Sequence, residues 1–296
     1  MGTTLLILLL GTLRIIQANC NKQTSGFLDT KNRFFRYGAY FDCAAAAFSL
    51  VYLCFIGFSG FSEATVLCSV LSALCFVSEL ITSLEALKRA PLVLCNMCAM
   101  GGGIILVSIA GIFFFDEPMS LLQWLGVAVF FTAAYCLSPG GTVRQRQRLT
   151  PAVWALLAAN FLINGAASFL GKYYAVRVEN GSAALFSCLT YTCSSLLFLL
   201  LLWGSRKKNT AAHSGAPLPK KLLLFGGILG AACSGIVYLS TTLSRTVPVV
   251  VLNTVPSAIS IIGCLFVGAL LFREKITVRN TAGVLLGILS VVLIVC

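Results

Sequence analysis

Apolar residues run along this chain in blocks about as long as a bilayer is thick, broken by short polar interruptions. Ten blocks can be drawn: residues 3–20, 38–57, 63–86, 91–115, 120–138, 151–171, 181–203, 221–243, 246–272 and 277–295, here spans 1 to 10. A helix of about 20 apolar residues, rising 1.5 Å each, crosses a hydrocarbon core of about 30 Å. The pattern therefore predicts an all-α membrane protein of ten transmembrane helices. The first block, MGTTLLILLLGTLRIIQANC, lacks the basic flank and small-residue cleavage site of a signal peptide, so it is expected to be a spanning helix like the others.

The blocks recur. Lys88–Gly126 matches Arg245–Gly283 at a constant offset of 157, which superposes Pro91 on Pro248, Asn96 on Asn253, Gly111 on Gly268, Phe115 on Phe272 and Glu117 on Glu274. An apolar background supplies Gly and Phe by chance far more easily than Pro, Asn and Glu in register. Spans 1 and 2 match spans 6 and 7 at an offset of 150, which superposes Lys22 on Lys172 and Arg14 on Asn164. The expected organisation is a first five-helix repeat, 1–138, a linker, 139–150, and a second five-helix repeat, 151–296. Five is odd, so the second repeat enters the membrane from the opposite side. That is the inverted-topology construction of secondary transporters, in which the two halves share a polar face as a cavity.

Composition agrees: 58% of residues are hydrophobic and 10% charged, with a mean hydropathy of +0.96, whereas about a quarter of a soluble domain is charged. The net charge of +12 does not indicate nucleic-acid binding, because the basic residues lie in short loops between spans. Of the 21 Lys and Arg, 17 fall in the loops after spans 1, 3, 5, 7 and 9, while Lys172, Arg177 and Arg245 fall on the other face and Arg14 inside a span. This bias puts the odd-numbered loops in the cytoplasm and both termini outside a multi-pass cell-membrane protein. Nearly all of the 13 cysteines lie in apolar runs, where thiols behave as small hydrophobes. Cys95 and Cys98 form a lone CxxC with no ligand set for a metal around it, so no cofactor is expected.

Polar side chains inside spans must face protein or water. Span 6 carries Asn160, Asn164 and Ser168 at helical spacing. Span 9 carries Asn253, Ser257 and Ser260 on one face, with Pro256 between them as a break that cannot donate to the carbonyl of Leu252. Arg14 and Gln17 of span 1, Glu79 of span 3, Asn96 of span 4 and Tyr238 of span 8 complete a candidate substrate-cavity lining. Hydrogen bonding between helices is the alternative role for each of the neutral ones. Arg14 and Glu79 lie at similar depth and can pair, either as a cavity ion pair that substrate or a proton disturbs or as a permanent structural pair. Glu117 and Glu274 sit at helix boundaries, where a carboxylate complements the next helix N-terminus, with gating of the two mouths as the other reading. Ser120 with Gln123 reads as a capping box for span 5. Lys22 and Lys172 end their helices, where a cation suits the dipole; contact with an anionic substrate is the alternative.

The segments FFFDEPMSLLQWLG (113–126) and LLFREKITVRNTAG (270–283) each place Glu after an apolar helix, Ser or Thr three residues on, and Gly in the next span. With Pro91, Pro248, Lys22 and Lys172, they make the chain resemble the EamA-type transporters of the drug/metabolite transporter superfamily over essentially its whole length. The resemblance implies spans 1, 3, 4, 6, 8 and 9 around a central cavity and spans 5 and 10 at the periphery. It also implies cytoplasmic termini, opposite to the charge bias. The expected function is alternating-access transport of a small metabolite or drug-like solute, driven by a solute gradient or a coupled proton or sodium ion. A lipid or lipid-linked-sugar flippase, which would need a lateral opening, and a non-transporting membrane scaffold are the alternatives. No nucleophile–base set appears within the spans, so an enzyme is not expected.

Overall fold

The computed structural model describes residues 2–25, 27–28, 31–57, 60–87, 92–137, 150–208, 218–272 and 278–296. Among these residues the structure is helical throughout, with turns between helices and no strand. The helices are α1 (Gly2–Ser25), α2 (Lys31–Ile56), α3 (Glu63–Leu87), α4 (Leu92–Gly101), α5 (Val107–Phe114), α6 (Leu121–Leu137), α7 (Pro151–Arg177), α8 (Ala183–Lys208), α9 (Lys220–Leu243), α10 (Val249–Phe272) and α11 (Val278–Val295). Six are long and apolar enough to cross a membrane, through Gly2–Asn21, Asn32–Ile56, Glu63–Ser83, Pro151–Arg177, Ala183–Ser205 and Lys220–Leu243. Four shorter apolar stretches join them: Cys98–Phe114, Leu121–Cys136, Val249–Gly263 and Thr281–Val295.

The periphery is apolar, as lipid contact requires. Phe55 is 86% exposed and Leu121 89%, and the exposed large hydrophobics come from most helices. In water such a surface would be an association liability. Inside, α2 lies along α8 and α9, α3 along α7 and α8, α1 along α9 and α10, and α6 along α11. Tyr174 stacks on Phe186 at 4.4 Å between centroids, and Phe34 meets Phe198 edge-on at 6.1 Å.

Span 4 differs from expectation: α4 and α5 are separated by a π-helical segment, Gly102–Leu106. The cause lies in α7. A Cβ on Gly102 would stand 1.8 Å from the Phe161 carbonyl oxygen, and one on Gly165 would stand 2.5 Å from Leu106 Cδ1. Backbone meets backbone at this crossing, so the run of three glycines is a packing device, and the extra residue in the turn accommodates it. Gly226 and Gly230, a GxxxG pair on α9, pack within the chain: a Cβ on Gly230 would meet Ala45 N at 2.9 Å, and one on Gly226 would meet Tyr37 at 3.0 Å.

Helix ends also move. Helix α2 begins at Lys31 rather than at 38, since Lys and Arg are good helix formers and extend the helix past its apolar part. Helix α1 continues to Ser25, so Lys22 lies inside it. Pro91, Glu274 and Thr277, and linker residues 139–149, lie outside the described residues, as do the side chains of Lys22 and Asn96.

Candidate functional site

Four helices bring polar side chains together within the apolar layer. Arg14 of α1 donates from Nη1 to Ser257 Oγ of α10 at 2.9 Å. Ser257 in turn donates to the Asn253 carbonyl at 2.7 Å, one turn back and across Pro256. Asn164 of α7 donates from Nδ2 to Glu79 Oε1 of α3 at 2.7 Å. Its carbonyl oxygen faces the π segment, where a Cβ on Gly103 would stand 2.7 Å from it. One turn away on α7, Asn160 accepts from Ser83 of α3 at 3.1 Å and is 1% exposed.

Arg14 and Glu79 interact through space but do not form the expected direct pair. Each is held by a neutral side chain on another helix. The physical reason is packing: α3 lies along α7 and α1 along α10, so each charge is paired with the helix it crosses. Glu79 also interacts through space with Tyr191 of α8 and Cys233 of α9. Arg14 keeps one donor, Nε, buried without a partner.

The other sequence candidates are distributed as follows. Gln17 of α1 donates to Cys233 Sγ at 3.4 Å. Ser260 is buried on α10, below Ser257. Tyr238 packs against Tyr52 of α2, with centroids 5.3 Å apart.

A second polar cluster lies where the α5–α6, α7–α8 and α9–α10 connections meet. Lys172 Nζ donates to Glu117 Oε1 at 2.6 Å, to the Ser244 carbonyl at 2.8 Å and to the Val247 carbonyl at 3.4 Å. Lys172 is 3% exposed and Glu117 28%. Glu117 Oε2 accepts from Val249 N at 2.9 Å, the first residue of α10. The expectation that Glu117 complements the next helix is therefore corrected: it caps α10, whose first N–H groups have no partner within their own helix. Helix α6 has its own cap. Ser120 and Gln123 exchange bonds of 3.1 and 3.2 Å, the capping box read from the sequence. Lys172 does not end its helix, because α7 continues to Arg177.

Arg177 donates to the Phe114 carbonyl at 2.6 Å, and Arg245 donates to the carbonyls of Ala175 and Gly181 at 3.1 and 2.5 Å. Every cation that the charge count left on this face thus binds a carbonyl near a helix end or in the adjoining turn, where positive charge complements the dipole. Gly60, at φ +74°, fits the same face: a Cβ there would stand 2.1 Å from the Asn180 carbonyl oxygen. A pocket of about 200 Å³ opens beside the cluster, lined by Ser108, Gly111, Glu117, Gln123, Pro248 and Val249. No residue of the Arg14–Glu79 set lines it.

Asp42 of α2 is the polar residue that sequence reasoning passed over. It is 2% exposed and accepts a hydrogen bond from Ser194 of α8. An acidic residue in an apolar run was the available signal. The helix begins at Lys31, so Asp42 lies eleven residues into it.

No family model matches the chain, and no curated protein matches it. A protein known from a crystal structure is similar to it over 99% of this chain and 96% of that one, at 14% identity and a TM-score of 0.76. At that identity the likeness is one of fold alone.

Proposed function

We propose that the protein is a secondary transporter that moves a small metabolite or drug-like solute by alternating access, built as ten spanning helices in two inverted halves. The observation that carries this reading is the separated pair of charges within the spans. Arg14 and Glu79 each rest on a neutral partner, Ser257 and Asn164, contributed by another helix. Intramembrane charges are costly and serve transport more often than packing. A solute with both an anionic and a cationic group can displace these neutral partners. Its carboxylate would take the guanidinium and its ammonium would take Glu79, so a zwitterion such as an amino acid suits the site best.

Helix contacts support the two-halves reading. Gly11 packs on Ile259 and Gly263 on Ile15, with Cβ approaches of 2.7 and 2.2 Å. Carried through the offsets of 150 and 157, these become Phe161 on Gly102 and Leu106 on Gly165, and both contacts are made. The small residue has simply changed sides. Whole-helix pairs exchange in the same way: α1 with α9 becomes α7 with α3, and α2 with α9 becomes α8 with α3.

The Lys172–Glu117 cluster supports a gate. It ties residues of both proposed halves together over one face, and opening that face requires breaking it. Solute exchange in this arrangement would use the opposite face. The test is uptake of zwitterionic, cationic, anionic and neutral solutes by proteoliposomes carrying the wild type, Glu79→Gln or Arg14→Gln. The wild type is expected to move a zwitterion and both variants to lose at least tenfold in rate. Unchanged rate and pH dependence in Glu79→Gln would remove Glu79 from the mechanism.

A further inference from the structure

Helix α2 carries one acidic side chain, Asp42, eleven residues from Lys31. At 1.5 Å per residue that is about 16 Å into the helix. The carboxylate is 2% exposed, and its hydrogen-bond partner is the Ser194 hydroxyl of α8. Among the described residues no Lys, Arg or His forms an ion pair with it. The groups facing it from the packed helices are Tyr191 of α8 and Cys233 of α9, both neutral in their ordinary forms. Both of these groups also interact with Glu79, whose charge has the same sign.

A buried carboxylate needs a cation or a proton, because burying the bare ion costs far more than one hydroxyl contact returns. Among the described residues no side chain supplies the cation. We propose that Asp42 is a proton-binding site: in this closed arrangement its carboxyl holds a proton, which it exchanges with water when α2 and α8 separate. The step is a plain acid dissociation, with the proton passing to water and the electron pair staying on the carboxylate. Ser194 suits either form, since a hydroxyl donates to the anion or accepts from the acid.

The seam around Asp42 favours such exchange. Cys43 meets Ser195 at 2.9 Å and Ser49 meets Ser187 at 2.8 Å, so beside its aromatic contacts the α2–α8 seam carries polar groups near the carboxyl that water can solvate. On the transporter reading this proton is the coupled ion; the binding site itself does not depend on that reading.

Infrared spectroscopy of the purified full chain in lipid nanodiscs tests the site directly. At neutral pH the wild type is expected to show a protonated-carboxyl carbonyl band that shifts in heavy water. Asp42→Asn is expected to lack that band, and Ser194→Ala to keep it at a displaced frequency, which guards against a misfolded Asp42→Asn sample. A band indifferent to both substitutions, or no such band in the wild type, would overturn the proposal. Because no solute is needed, failure here is separate from failure of the transporter reading, which the vesicle assay decides.

Discussion

Removing Glu117 from the face cluster tests whether it is an energetic latch. Lys172 is 3% exposed and holds three acceptors, of which Glu117 is the charged one, at 2.6 Å. Breaking a buried ion pair from one side costs about 3–5 kcal/mol, because the other charge stays buried and uncompensated. Glu117→Gln belongs at the lower end, about 3 kcal/mol, since Lys172 keeps two carbonyls and the glutamine can still accept from Val249 N. Lys172→Met leaves a carboxylate that is 28% exposed and still caps α10, so about 1.5–3 kcal/mol is expected, the worth of a charged hydrogen bond. The double variant should then be less unstable than the two losses added together, by a coupling of about 2 kcal/mol. Reversible unfolding of the purified protein by a denaturing detergent in mixed micelles measures all four corners of the cycle. Losses that add to within about 0.5 kcal/mol would refute the latch, because independent sites behave that way.

The close approaches give a sharper steric test. Gly102→Ala brings a Cβ to 1.8 Å from a backbone oxygen of α7 and should prevent the native packing or cost several kcal/mol, read as lost thermal stability. Gly171→Ala, with nothing within 4 Å, should instead stabilise α7 by up to about 1 kcal/mol. Ser120→Ala removes half of the α6 capping box and should cost about 1 kcal/mol in the same assay. Asn164→Ala removes the hydrogen bond to Glu79, which is expected to change transport by about 10- to 100-fold for a charged bond of 1.5–3 kcal/mol. An unchanged rate in that variant would detach α7 from the site.

Helix positions were legible because hydrophobic blocks have a physical minimum length, and the described helices fall on all ten blocks. The capping box was legible because it is a local, four-residue pattern. The partners of Glu117 and Lys172 were not, because both are long-range: the residues are 55 apart in sequence, and Glu117 also caps a helix that begins 132 residues further on. The same limit applies to Arg14 and Glu79, whose depths match but whose crossing helices assign each a different partner. The π turn at the three glycines of span 4 was not legible, because only the opposing Phe161 carbonyl explains it. The burial of Asp42 was not legible because it depends on α8, whose Ser194 lies 152 residues further on.

The central claim is that this bundle moves a small solute across a membrane. Proteoliposomes with imposed proton or sodium gradients, assayed for uptake and efflux of a solute panel that includes amino acids, test it most directly. The account predicts saturable movement of at least one zwitterionic solute, strongly reduced in Arg14→Gln and Glu79→Gln. Flat results for every solute under every gradient would contradict it.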